Sequence, residues 1–342
     1  MDKIRKETGK ENQKEEIIGT EINGNRKSAF RKIAFLYPGQ GSQKCGMGLD
    51  FYENSPEAKT VYDQAEKALG LPIRDICFQE NEKIHLTEYT QPALVTTCLA
   101  MTRALEHLGI LPSLTAGLSL GEYAAVAAAG GLSDTDAIRL VRKRGLLMQN
   151  TIPAGEGAMS AVLGMKAEEI EKILEQIPDV TIANYNCPGQ IVITGRTDAV
   201  KNAGERLKEA GARRVLPLKV SGPFHSPLLA PAGKELAEEM KAVNFRELTV
   251  PYVANAVAEI QTDSNKIPKL FVTGVSSPVK WQQSMEVMVQ EGVDLFLEIG
   301  PGKTLAGFMK KIAPAAKVFS LNTWMDLKRL QEELKERKTI RC

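Results

Sequence analysis

The stretch Leu114-Thr-Ala-Gly-Leu-Ser-Leu-Gly-Glu-Tyr-Ala-Ala-Val-Ala-Ala-Ala129 changes character halfway along. Leu114 to Leu118 reads as a short strand, and the small-residue run from Glu122 to Ala129 reads as a helix. Gly117-Leu-Ser-Leu-Gly121 is the junction between them. A Gly-x-Ser-x-Gly turn at such a junction exposes a serine hydroxyl, and its glycines let backbone approach closely. The helix behind it aims unpaired N–H groups and a positive dipole end at the same point, where an oxyanion would be stabilised. A Gly-Ser turn without chemistry is the plainer alternative.

Strand and helix signals alternate on both sides of this stretch. Ile33-Ala-Phe-Leu-Tyr37 is a short apolar strand ending in Pro38-Gly-Gln-Gly-Ser-Gln43. Ala93 to Leu108 has helical spacing of apolar groups, Ser133 caps a helix to about Asn150, and Leu295 to Glu298 is a strand followed by a helix from Thr304. Strands regularly followed by helices imply a mostly parallel, hydrolase-like α/β body covered on both faces. From Gly155 to about Leu218 the order is βαββαβ: Met159–Leu163, Ala167–Gln176, Val180–Tyr185, Gln190–Thr194, Ala199–Ala210 and Arg214–Leu218. That order predicts an inserted ferredoxin-like small subdomain. The expected organisation is therefore a large subdomain over 31–154 and 219–322, the insert over 155–218, and a charged C-terminal helix and tail over 323–342.

Composition narrows the function. With 342 residues there is room for one large domain and an insert, and a net charge of +2 argues against a dedicated nucleic-acid binder. No apolar run approaches the roughly 20 residues that span a bilayer. Residues 1–30 are rich in charge and poor in large apolar groups, which predicts a flexible extension without the apolar core of a signal peptide. The five cysteines, at 45, 77, 98, 187 and 342, are odd in number and scattered. That pattern fits reduced cytoplasmic thiols, and no spacing suggests a metal site.

An activated serine usually needs a base, and the chain has only three histidines. His107 ends a helix, where the dipole explains it, and His85 has no distinguishing context. His225, in the loop Ser221-Gly-Pro-Phe-His-Ser-Pro227, is the base by elimination. Arg144 falls on the inward stripe of the helix from Ser133, with Ala137, Leu140, Val141, Leu147 and Met148. Arg139, Arg142 and Lys143 fall on faces expected to be solvated. A buried guanidinium is costly without an anionic partner. The partner is either an internal Asp or Glu, or a substrate carboxylate gripped by two parallel hydrogen bonds.

Eight motifs then follow in order: Pro38-Gly-Gln-Gly-Ser-Gln43, Thr90-Gln-Pro-Ala93, Gly117-Leu-Ser-Leu-Gly-Glu122, Arg144, Asn184-Tyr-Asn186, Phe224-His225, Ser277-Pro-Val-Lys-Trp281 and Glu298-Ile-Gly-Pro-Gly302. Together they resemble the malonyl-coenzyme A:acyl carrier protein transacylases and the related acyltransferase domains of polyketide synthases, over about residues 31–322. The resemblance implies Ser119 as nucleophile and His225 as base, with the Lys280 carbonyl orienting the imidazole. It implies backbone N–H groups of Gln40 and Leu120 as oxyanion hole, Arg144 and Gln91 on the malonyl carboxylate, and Asn184 and Asn186 facing the donor channel. Phe224, just before the histidine, goes with malonyl selection. One departure stands out: the family usually has His before the nucleophile, and here the residue is Leu118.

What the resemblance implies is malonyl transfer from malonyl-CoA to the phosphopantetheine thiol of holo acyl carrier protein through a malonyl-Ser119 ester. The extender units would serve fatty acid synthesis, by a cytoplasmic monomer with no permanently bound cofactor, no metal, no nucleic acid and no membrane. Arg213-Arg214 and Lys310-Lys311 are candidate carrier-docking bases. A stand-alone polyketide acyltransferase is the alternative, and a serine thioesterase is less consistent. In an α/β-hydrolase the His sits close to the chain end, whereas more than a hundred residues follow His225.

Overall fold

Ile33-Ala-Phe-Leu-Tyr37 contains no charged residue, which suits a strand covered on both faces. The computed structural model, which describes residues 32–339 apart from 154 and 221, buries all five of these residues in strand β1 (Ile33–Tyr37). The expected N-terminal extension and the last three residues lie outside the described residues. Five further strands join β1 in one sheet: β2 (Leu114–Gly117), β7 (Tyr252–Ala254), β8 (Glu259–Gln261), β9 (Leu295–Ile299) and β10 (Lys317–Leu321). Their order is β10-β9-β1-β2-β7-β8, parallel throughout except for the β7–β8 hairpin at one edge.

The period of two along β1 divides the core. Ile33, Phe35 and Tyr37 face helices Thr87–His107, Gly121–Ala128 and Asp134–Asn150. Ala34 and Leu36 face Trp281, Met285 and Met288 of helix Trp281–Gln290, with Leu305, Phe308 and Met309 of helix Thr304–Ile312. A second sheet holds β3 (Gly157–Leu163), β4 (Val180–Cys187), β5 (Gln190–Arg196) and β6 (Arg214–Pro217), all antiparallel in the order β4-β5-β3-β6. Helices Ala167–Leu174 and Thr197–Glu209 cover one face of it with their own apolar cluster, which gives the ferredoxin-like arrangement.

One helix differs from expectation. It begins at Thr87, six residues before Ala93, and runs through Pro92. Proline cannot donate to the carbonyl four residues back, here that of Glu88. Arg142 supplies the missing donor, its Nη1 at 2.5 Å from that carbonyl and its Nη2 at 2.8 Å from the Glu88 carboxylate. Arg142 is therefore half-buried and paired, where a solvated side chain was expected. The C-terminal helix is present as Trp324–Thr339.

Topology places the chemistry. Pro38, Leu118, Asn255 and Gly300 each follow the C-terminal end of a strand, and β9, β1, β2 and β7 are consecutive parallel neighbours. The loops that follow them meet along one edge, where α/β sheets hold their ligands. Glu298 on β9 is wholly buried and explains the Glu-Ile-Gly-Pro-Gly motif. Its carboxylate accepts from Leu305 N–H at 2.9 Å, Ala306 N–H at 3.0 Å and Ser320 Oγ at 3.0 Å, capping helix Thr304–Ile312.

Candidate active site

The Gly-x-Ser-x-Gly turn is tight because β2 must reverse into a helix beside β1. A Cβ on Gly117 would lie 1.9 Å from the Gly121 carbonyl carbon, and one on Gly121 would lie 2.3 Å from the Tyr37 oxygen. Neither position has room for a side chain. Ser119 at the apex has φ 51°, a left-handed conformation that costs a non-glycine residue about 1–3 kcal/mol and persists only when neighbours hold it. Its hydroxyl is thereby lifted off the sheet edge.

Ser119 Oγ lies 2.7 Å from His225 Nε2, although 106 residues separate them. His225, itself at φ 63°, is buried to 4% exposure. Its Nδ1 lies 2.8 Å from the Gly274 carbonyl. A carbonyl only accepts, so Nδ1 carries the proton and Nε2 of the neutral ring is free to accept from the serine. Burial, with the nearby Arg144 charge, pushes the imidazole down to about 4, against the opposing hydrogen bonds to the backbone of Gly274 and Ser277. The ring is neutral at physiological pH. His107 instead pairs with Glu57 at the surface, and His85 is exposed.

The orienting carbonyl corrects the expectation of Lys280. The Lys280 carbonyl accepts from Ser284 N–H at 2.9 Å and from Ser284 Oγ at 2.8 Å, because it starts helix Trp281–Gln290. Gly274 sits in the last turn of helix Ile267–Ser276, and the residue four further on is Pro278, which has no N–H to give. The Ser277-Pro278 signal thus leaves the Gly274 carbonyl free for His225.

Arg144 is 3% exposed, and its Nη2 donates to Ser119 Oγ at 3.1 Å. Its guanidinium lies 5.4 Å from the centroid of the Tyr123 ring. Among the described residues it forms no ion pair. Glu122, the acid whose charge bears on Arg144, accepts from Asn255 N–H at 3.1 Å, and burial pushes its carboxyl up to about 8. Of the two partners the sequence left open for Arg144, the internal one is absent among the described residues.

Around this centre, Gln40 Nε2 donates to Thr87 Oγ1 at 3.0 Å, and Gln91 Nε2 lies 3.5 Å from Gln40 Oε1. Gln91 Oε1 is buried without a partner among the described residues. The backbone N–H groups of Gln40 and Leu120 donate to no acceptor among the described residues, whereas that of Ser119 is taken by Asn255 Oδ1 at 2.6 Å. Phe224 is buried beside His225. Asn184 and Asn186 lie on β4, both buried, and neither is hydrogen-bonded to Ser119, His225 or Arg144; an isolated bridge pairs Asn184 with Val279, just before helix Trp281–Gln290. Leu118 packs against the second core cluster, partly exposed. Asn255 escaped the sequence reading; its only signal is an Asn directly after a short apolar run, Tyr252-Val-Ala.

The arrangement can accept a proton from a serine, hold an oxyanion and face an anionic acyl group. Among the described residues no group of His, Cys, Asp and Glu could hold a metal ion, and no helix is long and apolar enough to cross a membrane. Residues 34–326 match the family described as acyl transferase domain. The malonyl CoA-acyl carrier protein transacylase of Bacillus subtilis (strain 168) is 43% identical over 310 residues, 89% of this chain and 98% of that protein. The crystal structure of the transacylase of the same name from Clostridium perfringens is 39% identical with TM-score 0.87, covering 90% of this chain and 99% of that one. A malonyl-transacylase in complex with its type II polyketide synthase acyl-carrier protein is 36% identical with TM-score 0.86, covering 88% and 99%.

Proposed function

The chain belongs to the acyl transferase domain family, and from that premise we propose that it carries malonyl from malonyl-CoA to the thiol of an acyl carrier protein through a malonyl-Ser119 ester. The observation that carries this reading is a buried Arg144 with no ion pair among the described residues, 3.1 Å from the serine of a Ser–His pair. A buried cation so placed awaits an anion on the acyl group, and a malonyl thioester ends in a carboxylate.

In the first half-reaction Nε2 of His225 takes the Ser119 hydroxyl proton while Oγ bonds to the thioester carbon. The carbonyl electron pair moves onto oxygen, where the N–H groups of Gln40 and Leu120 would receive it. The C–S bond then breaks, and the leaving sulfur of coenzyme A takes the proton back from His225. Arg144 grips the malonyl carboxylate, Gln91 lines the same pocket and Phe224 narrows it against branched donors. Asn184 and Asn186 would face the donor channel. In the second half-reaction the phosphopantetheine thiol gives its proton to His225 and attacks the ester carbonyl, the C–O bond to Ser119 breaks, and Ser119 Oγ takes the proton back from His225. Coenzyme A enters only as part of the substrate, and the exposed pairs Arg213-Arg214 and Lys310-Lys311 are offered to the carrier.

The extender unit goes to fatty acid synthesis in this reading, by a cytoplasmic monomer. A polyketide carrier is the second reading, favoured by the similarity to a transacylase solved with such a carrier. A panel of acyl-CoA donors with either carrier, scored by intact mass for transfer against hydrolysis, tests both. The expected result is a malonyl adduct on the enzyme that is lost in Ser119→Ala and discharged onto carrier. Hydrolysis without transfer would make the chain a thioesterase.

A further inference from the structure

We propose that Asn255 is a positioning residue that holds the serine turn in its reactive shape, itself pinned by Glu122. The proposal rests on Ser119 as nucleophile and goes beyond the residues assigned above. Asn255 is 1% exposed in the turn after β7, and β7 is the parallel neighbour of β2. It therefore arrives beside the end of β2, though 136 residues separate it from Ser119.

Its carboxamide straddles the turn. Oδ1 accepts from Ser119 N–H at 2.6 Å, and Nδ2 donates to the Gly117 carbonyl at 2.7 Å. Those two groups flank Leu118, where the chain leaves the strand, and the reversal leaves neither with a backbone partner. Asn255 itself is fixed at both backbone ends: its N–H donates to Glu122 Oε1 at 3.1 Å, and its carbonyl accepts from Lys280 N–H at 3.0 Å. Glu122 opens the helix behind the serine, so turn, helix and carboxamide form one closed set of hydrogen bonds.

Two consequences follow for the reaction. A non-glycine residue at φ 51° needs an external tether, and this carboxamide supplies it. Engaging Ser119 N–H also removes it from the oxyanion hole, which leaves the unengaged N–H groups of Gln40 and Leu120 as the donors. Without the tether the turn relaxes, and Ser119 Oγ loses its 2.7 Å reach to His225.

The test uses N255D and N255S in the full-length enzyme. A protonated carboxyl copies the carboxamide, with one donor and one acceptor, whereas an ionised one cannot donate to Gly117. Among the described residues, the charged or titratable side chains that bear on the position are Glu122, which burial holds up at about 8 and so keeps neutral over this range, and Arg144, whose charge favours ionisation of the new Asp; His225 stays neutral because it is held down at about 4. Rates of Ser119 labelling by a fluorophosphonate and of single-turnover malonylation are measured from about pH 5 to 7.5, with circular dichroism at each pH. N255D should stay within about threefold of wild type at the acid end and fall at least about tenfold below it at pH 7.5, with little change in the KM for malonyl-CoA. N255S, which adds no charge and cannot span the turn, should be about tenfold slow or worse at every pH, so it carries the test even if N255D melts. A ratio of N255D to wild type that does not change with pH, or an N255S close to wild type, overturns the proposal. The expected phosphonate profile without any malonyl adduct supports the tether and overturns only the choice of donor.

Discussion

His225 carries the sharpest electrostatic consequence of the site. Its folded value of about 4 lies below the usual 6.5, so the native state favours the neutral ring. Acylation should therefore persist to about pH 5, with its acid limb near 4, as a pH series of malonyl-adduct formation would show. The same shift stabilises the fold fully above about 6.5, and that part is lost as pH falls towards 4, on the order of 3 kcal/mol. Glu122 acts oppositely: its raised carboxyl stabilises below its ordinary value, and that part is lost as pH rises through about 8. Comparing melting of His225→Asn with wild type between pH 4.5 and 7 isolates the histidine, and the variant should show the shallower loss. Arg144 makes a prediction of another kind. Arg144→Ala removes a charge-assisted fork and should slow malonyl transfer about 100-fold more than acetyl transfer. Equal losses would mean that Arg144 serves only the serine.

At the scale of elements, most of the architecture was legible because it is written in local periodicity. β1, the serine turn and the helix capped by Ser133 all fall where a short apolar run, glycine and a capping hydroxyl place them; Ser133 Oγ accepts from Asp136 N–H at 3.0 Å. The start of the Pro92 helix was not legible, because the donor that Pro92 cannot give to the Glu88 carbonyl comes from the remote Arg142. β7 and β8, three residues each, are too short to show a period. The close fit of the serine turn to β1 gives a prediction here. Gly121→Ala places a methyl 2.3 Å from the Tyr37 carbonyl, so the helix or the strand must move. Such overpacking should cost about 3 kcal/mol in a denaturant titration, with malonylation falling in parallel.

On the whole-molecule scale, a backbone seam ties the small sheet to the large subdomain. Val279 N–H donates to the Ala183 carbonyl at 2.8 Å and Tyr185 N–H to the Val279 carbonyl at 2.9 Å, joining β4 to the segment between Gly274 and Lys280. The segment that orients His225 is thus also the one that carries the small sheet. Val279→Pro removes one of those bonds and should cost about 2 kcal/mol. It should lower malonyl transfer more than fluorophosphonate labelling of Ser119, because the pocket is disturbed more than the nucleophile. The sequence by itself determined the strand-turn-helix that presents Ser119, the α/β class and the βαββαβ insert, and it singled out Ser119, His225 and Arg144 as candidates, since each is carried by short-range pattern or by scarcity of alternatives. Only the tertiary structure decided which carbonyl orients His225, that Arg144 has no ion pair among the described residues, and that Asn255 reaches the serine turn. Each depends on how segments distant in sequence pack together: 49 residues separate His225 from Gly274, 106 separate it from Ser119, and Asn255 reaches Ser119 across 136 because β7 lies beside β2.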